Sequence, residues 1–164
     1  MKEKILNIEF FPSPKVIVRV ISFGDTEELC KSKKKFPFKL KEDVKVIIKT
    51  TKREISFIIQ KGYTWNGADI PRFLWSVLGS RTDNDFLIAS MLHDFLLEFK
   101  FFMIETILEN KLSKKEYRRF SSLVFRHILK NQGTNTIKAN IMSYFTDLFQ
   151  MISKSRWRKN GNIN

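Results

Sequence analysis

His93 and Asp94 stand side by side in Ala89-Ser90-Met91-Leu92-His93-Asp94-Phe95-Leu96. A histidine next to a carboxylate is a pair suited to proton transfer, because imidazole titrates near neutral pH and a carboxylate can orient it or hold a cation. On a helix, neighbours in sequence point about 100° apart. The two side chains therefore divide the work rather than share it. An upstream block, Lys61-Gly62-Tyr63-Thr64-Trp65-Asn66-Gly67-Ala68-Asp69-Ile70-Pro71-Arg72, adds a turn and a further acid. Gly67 permits a tight turn with close backbone approach. Asp69 reads as a helix cap with Pro71 in the first turn, where a missing N–H costs nothing. The free N–H groups of that turn could face an anion.

The same residues also have a structural reading. His93 would be a core histidine hydrogen-bonded to a neighbouring backbone group or carboxylate. Asp94 would accept N–H groups of the Gly67–Pro71 turn and lock the strand-to-helix corner, since a buried charge needs such partners. A metal phosphohydrolase of the His-Asp type would need more ligands on other helices, and His127 is the one further histidine. His127 shares a helix with Arg126 and Lys130 and reads as solvent-facing on a basic face. The single cysteine, Cys30, excludes an internal disulfide framework and a multi-cysteine zinc site. Its acidic neighbours Glu27 and Glu28 disfavour a thiolate, so a reactive nucleophile is not expected there.

The elements that must position these residues follow from periodicity. Val16–Ile21, Val44–Ile48 and Glu54–Ile59 are β-branched and short, and the last two read as an antiparallel hairpin. Phe36–Leu40 reads as a further strand, with Pro37 suggesting an edge. After Gly62 the period becomes helical. A short helix from Asp69 stops at Gly79, and Thr82 or Asp83 caps a second over Asp85–Phe99 that is apolar nearly all round, hence buried on most sides. Ser113-Lys114-Lys115-Glu116 is a capping box opening a helix that ends before Gly133. Asn135 or Thr136 opens a last helix to about Ser153. Strands first and helices second predict an α+β fold: an N-terminal antiparallel β-sheet followed by a C-terminal bundle of three or four helices. One domain is expected over 1–153, β-rich over 1–65 and helical over 66–153, with a basic, flexible tail at 154–164.

The 164 residues carry a net charge of +13, unevenly spread. Residues 1–66 carry +7, residues 67–110 carry −4 and residues 111–164 carry +10. Both signature blocks reach into the acidic middle, which suits a cation more than a polyanion. The basic flanks read as solvated surface or as a docking site for nucleic acid or an acidic partner, through Lys31–Lys35 and through Lys154, Arg156, Trp157, Arg158 and Lys159. Trp157 between two arginines could stack on an unpaired base. A hydrophobic content of 43% with 16 Phe excludes a disordered chain. The N-terminus lacks the apolar core of a signal peptide, and Phe86–Leu108 holds too many ionisable groups for a membrane span.

The two blocks together resemble a bacteriophage and prophage family, the domain-of-unknown-function family 1353. Its signature runs roughly G-F-x-T-D-G-A-S-I-P-R, then A-x-x-x-H-D-x-L-Y, then R-x-x-A-D-x-x-F, and the resemblance covers residues 57–130. On this likeness Trp65, Asn66, Gly67, Ala68, Ile70, Pro71 and Arg72 are motif residues. The family Asp is Asn66 here, the family Ser is Asp69, and the Tyr after His-Asp is Leu97. In the third block Glu116 is the one carboxylate, and Phe99–Leu112 looks like an apolar insertion, either core or docking surface. The family's His-Asp pair and later Asp look similar to secreted phospholipases of the A2 type. There the histidine is general base on a water, the adjacent Asp helps hold calcium, and a distant Asp orients the imidazole. That analogy makes His93 the base, Asp94 a ligand or orienter, and Asp69 or Glu116 the supporting carboxylate. Calcium or zinc would be held through Asp94 or Asp69, and no other cofactor is expected.

Loss of the orienting Asp removes most of the value of such a triad. The expectation is therefore a phage-encoded accessory or virion-associated protein that binds a phage or host protein, with a mainly structural His-Asp motif. The alternatives are a small hydrolase and nucleic-acid binding through the flanks. The expected setting is the bacterial host cytoplasm or the virion, with the oligomeric state open.

Overall fold

The computed structural model describes residues 3–67, 84–109 and 111–152. Period-two patterning builds the first half. Val44, Val46, Ile48 and Thr50 of β4 (Val44–Thr50) turn inward, as do Ile55, Phe57 and Ile59 of β5 (Glu54–Ile59). The two strands pair antiparallel, Val44 opposite Ile59 and Lys49 opposite Glu54, the hairpin that the alternation predicts. Thr50 Oγ1 closes its turn by accepting the N–H groups of Lys52 and Arg53 at 3.1 and 3.0 Å. On the other side of β4 lies β1 (Ile5–Phe11), antiparallel and with a bulge between Ile5 and Asn7. This segment reads in sequence only as lacking the apolar core of a signal peptide, so its strand is not among the expected ones.

A second antiparallel sheet has the order β2-β3-β6, from β2 (Val16–Val18), β3 (Phe38–Leu40) and β6 (Thr64–Trp65). This corrects the edge placement of Phe36–Leu40, since β3 is the central strand. Pro37 fits because it precedes the strand and only its carbonyl is used, accepting Arg19 N–H at 2.7 Å. Phe36 belongs to the end of a helix instead. The strand expected over Val16–Ile21 is shorter, ending at Val18.

The helix α1 (Glu27–Lys35) lies within the part read as β-rich. Its ends explain it. Thr26 accepts Leu29 N–H at 3.2 Å, Glu27 and Glu28 sit at the positive end of the helix dipole, and Lys33, Lys34 and Lys35 sit at the negative end. None of its residues is buried.

Of the C-terminal helices, α2 (Asn84–Glu98) is buried on most sides, from Phe86 through Leu96. One turn, α3 (Lys100–Phe102), passes into a π-helical turn over Met103–Ile107. Met103, Ile104 and Leu108 enter the core while Phe102 stays exposed, so the apolar stretch serves chiefly as core. The Ser113–Glu116 capping box opens α4 (Lys114–Asn131), and α5 (Thr136–Ile152) follows Gly133, whose φ is +89°. Tyr117, Phe120, Val124, Phe125, Ile128 and Leu129 line one face of α4 at helical spacing. That helix packs against α2, α5 and β1, and the Tyr117 hydroxyl donates to Leu96 O at 2.7 Å. Burial pushes the Tyr117 phenol well above its ordinary pKa. One hydrophobic cluster joins both sheets to α2, α4 and α5, and the architecture is α+β. Among the described residues, no helix is long and apolar enough to cross a membrane.

Candidate functional site

The upstream block leaves the second sheet along β6. Thr64 pairs with Lys39 and Trp65 with Phe38, and the chain then turns at Gly67, whose φ of +85° lies in the region that favours glycine. Trp65, Asn66 and Gly67 are all buried. The helix α2 packs on β6 and carries His93 and Asp94.

Aromatic rings connect the two blocks. Trp65 lies 5.7 Å from Phe38 and 6.1 Å from Tyr63, and Tyr63 meets Phe95 edge-on at 5.5 Å. Phe95 stacks on Phe57 at 5.3 Å and contacts Phe99 at 4.6 Å. Phe95, the residue after His-Asp, is thus the anchor that holds α2 onto both sheets. Sequence reasoning did not single it out, although its place one residue past the pair was the signal. Each such ring pair contributes roughly 0.5–1.5 kcal/mol beyond area burial. Trp65 Nε1 is buried and has no hydrogen-bond partner among the described residues.

His93 is 5% exposed and sets its ring edge-on against Phe125 of α4 at 5.5 Å. Its Nδ1 is 3.5 Å from Asp94 Oδ1, longer than a well-formed hydrogen bond. The two side chains are neighbours all the same, despite the roughly 100° between their positions on the helix. Rotamer freedom closes the gap that the backbone leaves. Asp94 lies at the rim, its side chain 25% exposed. None of His93, Asp94, Asn66 and Gly67 is left without a partner.

Glu116 is elsewhere. Its Oε2 accepts Ser113 N–H at 2.9 Å and the Ser113 hydroxyl at 2.6 Å, and these bonds hold its carboxyl below the ordinary pKa. It precedes Phe125, the ring against His93, by nine residues of α4, or roughly 14 Å of helix axis. Ala68, Asp69, Ile70, Pro71 and Arg72 lie outside the described residues, as do the expected caps at Thr82 and Asp83 and the tail with Lys154, Arg156, Trp157, Arg158 and Lys159. Among the described residues no group of three or more His, Cys, Asp or Glu could hold a metal.

A family model described as a protein of unknown function, DUF1353, matches residues 38–145. The chain belongs to this family. No curated protein and no solved structure matches it. The DUF1353 span opens at β3 and closes within α5, taking in the hairpin, both signature blocks and α4. It is wider than the 57–130 read from the motifs, because the scaffold around the signature is also recognisable. Before it lie β1, β2 and α1.

Two further expectations change with the fold. His127 is half-buried rather than solvent-facing, with Nε2 buried and, among the described residues, without a hydrogen-bond partner. Burial, then the charges of Lys130 and Arg126, hold its pKa below the ordinary histidine value. The reason is that α4 is packed between α2 and α5, so even its basic side is partly covered. In the run Lys31–Lys35, Lys33 is committed to Asp25 at 2.8 Å and to Val20 O at 2.9 Å, and Lys31 pairs with Glu27 at 2.6 Å. A separate cavity of about 270 Å³ lies between the β4–β5 turn and residues 107–111. Two of its charged walls are paired, Arg53 with Glu3 and Lys111 with Glu109.

Proposed function

We propose that this DUF1353 member is a phage-encoded accessory or virion-associated protein that works by binding a phage or host protein, and that its His-Asp motif is a structural lock. The observation that carries the reading is the burial of His93, 5% exposed against Phe125. A general base must reach a water or substrate proton at hydrogen-bond distance. A ring wedged between α2 and α4 is placed to hold helices instead. The commitment of Glu116 to the capping box supports the same reading, since one of the two candidate supporting carboxylates is occupied. The phage setting rests on the likeness of the signature blocks.

Photo-crosslinking in phage-infected cells tests it. The expected result is one defined partner chain in stoichiometric yield, identified by mass spectrometry, with no ester or phosphodiester hydrolysis that depends on His93. A lone monomer whose hydrolysis disappears in His93→Ala would overturn it.

A second reading, a small hydrolase, keeps one observation in its favour. Asp94 is partly exposed and its carboxylate lies beside His93 Nδ1, as an orienter or a cation ligand would. Calorimetric titration of calcium and of zinc into wild type and Asp94→Asn decides the metal version, which requires heat in the first and none in the second.

A further inference from the structure

The surface that the fold leaves unexplained lies ahead of the family-matched span. Ile17, Val18, Val20, Ile21 and Phe23 are all exposed, Phe23 completely. Removing side chains of this kind from water is favourable in proportion to the apolar area covered. Single exposed apolar residues are ordinary, but here five of the seven residues from Ile17 to Phe23 are exposed and apolar.

The backbone of the same segment is also open. Lys41 N–H donates to Lys15 O at 2.9 Å and Arg19 N–H to Pro37 O at 2.7 Å, while Ile17 lies opposite Lys39. In an antiparallel pair the bonded residues alternate. Residues 15, 17 and 19 therefore face β3, and Val16 and Val18 direct their N–H and C=O groups to the outer edge of β2. Farther along, the Val20 carbonyl is taken by Lys33 Nζ. That bond brings the basic end of α1 beside the apolar run, with Lys34 and Lys35 exposed there.

We propose that β2, the Val20–Phe23 segment and the basic end of α1 dock an extended segment of another protein, apolar at its centre and acidic at its flanks, which adds to β2 as a strand. The proposal rests on the reading that this chain works by binding, and names the surface that does so. Strand addition satisfies the outward groups of Val16 and Val18, the apolar side chains give a desolvated centre, and the lysines select an acidic rim. A second copy fits poorly, because it would bring a second set of lysines against the first. A bilayer fits poorly, because it leaves the N–H and C=O groups of the strand edge unsatisfied.

The probe is a fluorescent nine-residue peptide alternating valine and threonine between paired glutamates, set against the same peptide flanked by lysines. The full chain should bind the acidic peptide at least about tenfold more tightly. Val18→Pro, which removes an N–H that β3 does not use, and Phe23→Ser should each weaken binding about tenfold with the melting temperature held within ~2 °C. Equal affinity for the two peptides, no binding of the acidic one, or full binding by both variants would overturn the proposal. Two other outcomes would overturn it in favour of another occupant: sedimentation with phosphatidylserine vesicles that Phe23→Ser abolishes, or dimerisation that Val18→Pro abolishes. If the crosslinked partner is still captured by both variants, this surface falls and the binding reading stands. If hydrolysis depending on His93 is found, the binding reading itself falls.

Discussion

Trp65, Asn66 and Gly67 at the end of β6 and His93 on α2 are buried, whereas along β2 and the segment after it Ile17, Val18, Val20, Ile21 and Phe23 lie in water. The first set belongs to the family signature, and its Trp65 packs among aromatic rings. The second lies ahead of the family-matched span and leaves its apolar side chains exposed. The difference teaches that the recognisable motif and the working surface need not coincide. A motif can recur because a tight turn after a strand needs glycine at positive φ and polar partners for its freed backbone groups.

Matched truncations break this comparison most forcefully. Trp65→Ala should cost about 3–5 kcal/mol in urea unfolding, since it empties a fully buried site between Phe38 and Tyr63. Gly67→Ala should cost roughly 1–2 kcal/mol by the same assay, because a Cβ is strained at a φ of +85°. A smaller effect comes from His127, which belongs to neither region. Its folded pKa is lowered, so the unfolded chain binds more protons below the ordinary value of 6.5 and stability falls as the pH drops through that range. His127→Gln should flatten the slope of melting temperature against pH below that value and leave it unchanged at higher pH. Smallest of all, Phe23→Ser should change stability by no more than about 0.5 kcal/mol, because the ring packs on nothing. A cost like that of Trp65→Ala would mean that the segment after β2 is core and that the contrast between the regions is false.

Much of the scaffold was legible in the residues. The Val44–Ile59 hairpin followed from strict alternation, the capping box fixed the start of α4, and the uniform apolarity of α2 foretold its burial. What escaped had physical reasons. The helix α1 offers no apolar stripe, so only its cap and end charges marked it. The central place of β3 could not be read from Pro37, because the proline stops one residue short of the strand. Within the site, the sequence brought the two blocks together through spacing, but the meeting of His93 with Asp94 depends on rotamers, and the ring of Phe125 reaches His93 from a helix 32 residues away. Glu116 was a plausible orienting acid and a capping residue at once, and the distance along α4 leaves the capping role.

The account turns on whether His93 holds the fold or does chemistry. Thermal unfolding of His93→Ala measures this directly. A structural lock predicts a loss of about 2–3 kcal/mol, seen as a melting temperature lowered by about 5–10 °C. A catalytic histidine in a preorganised site costs stability to keep, so a melting temperature that is unchanged or raised would contradict the account.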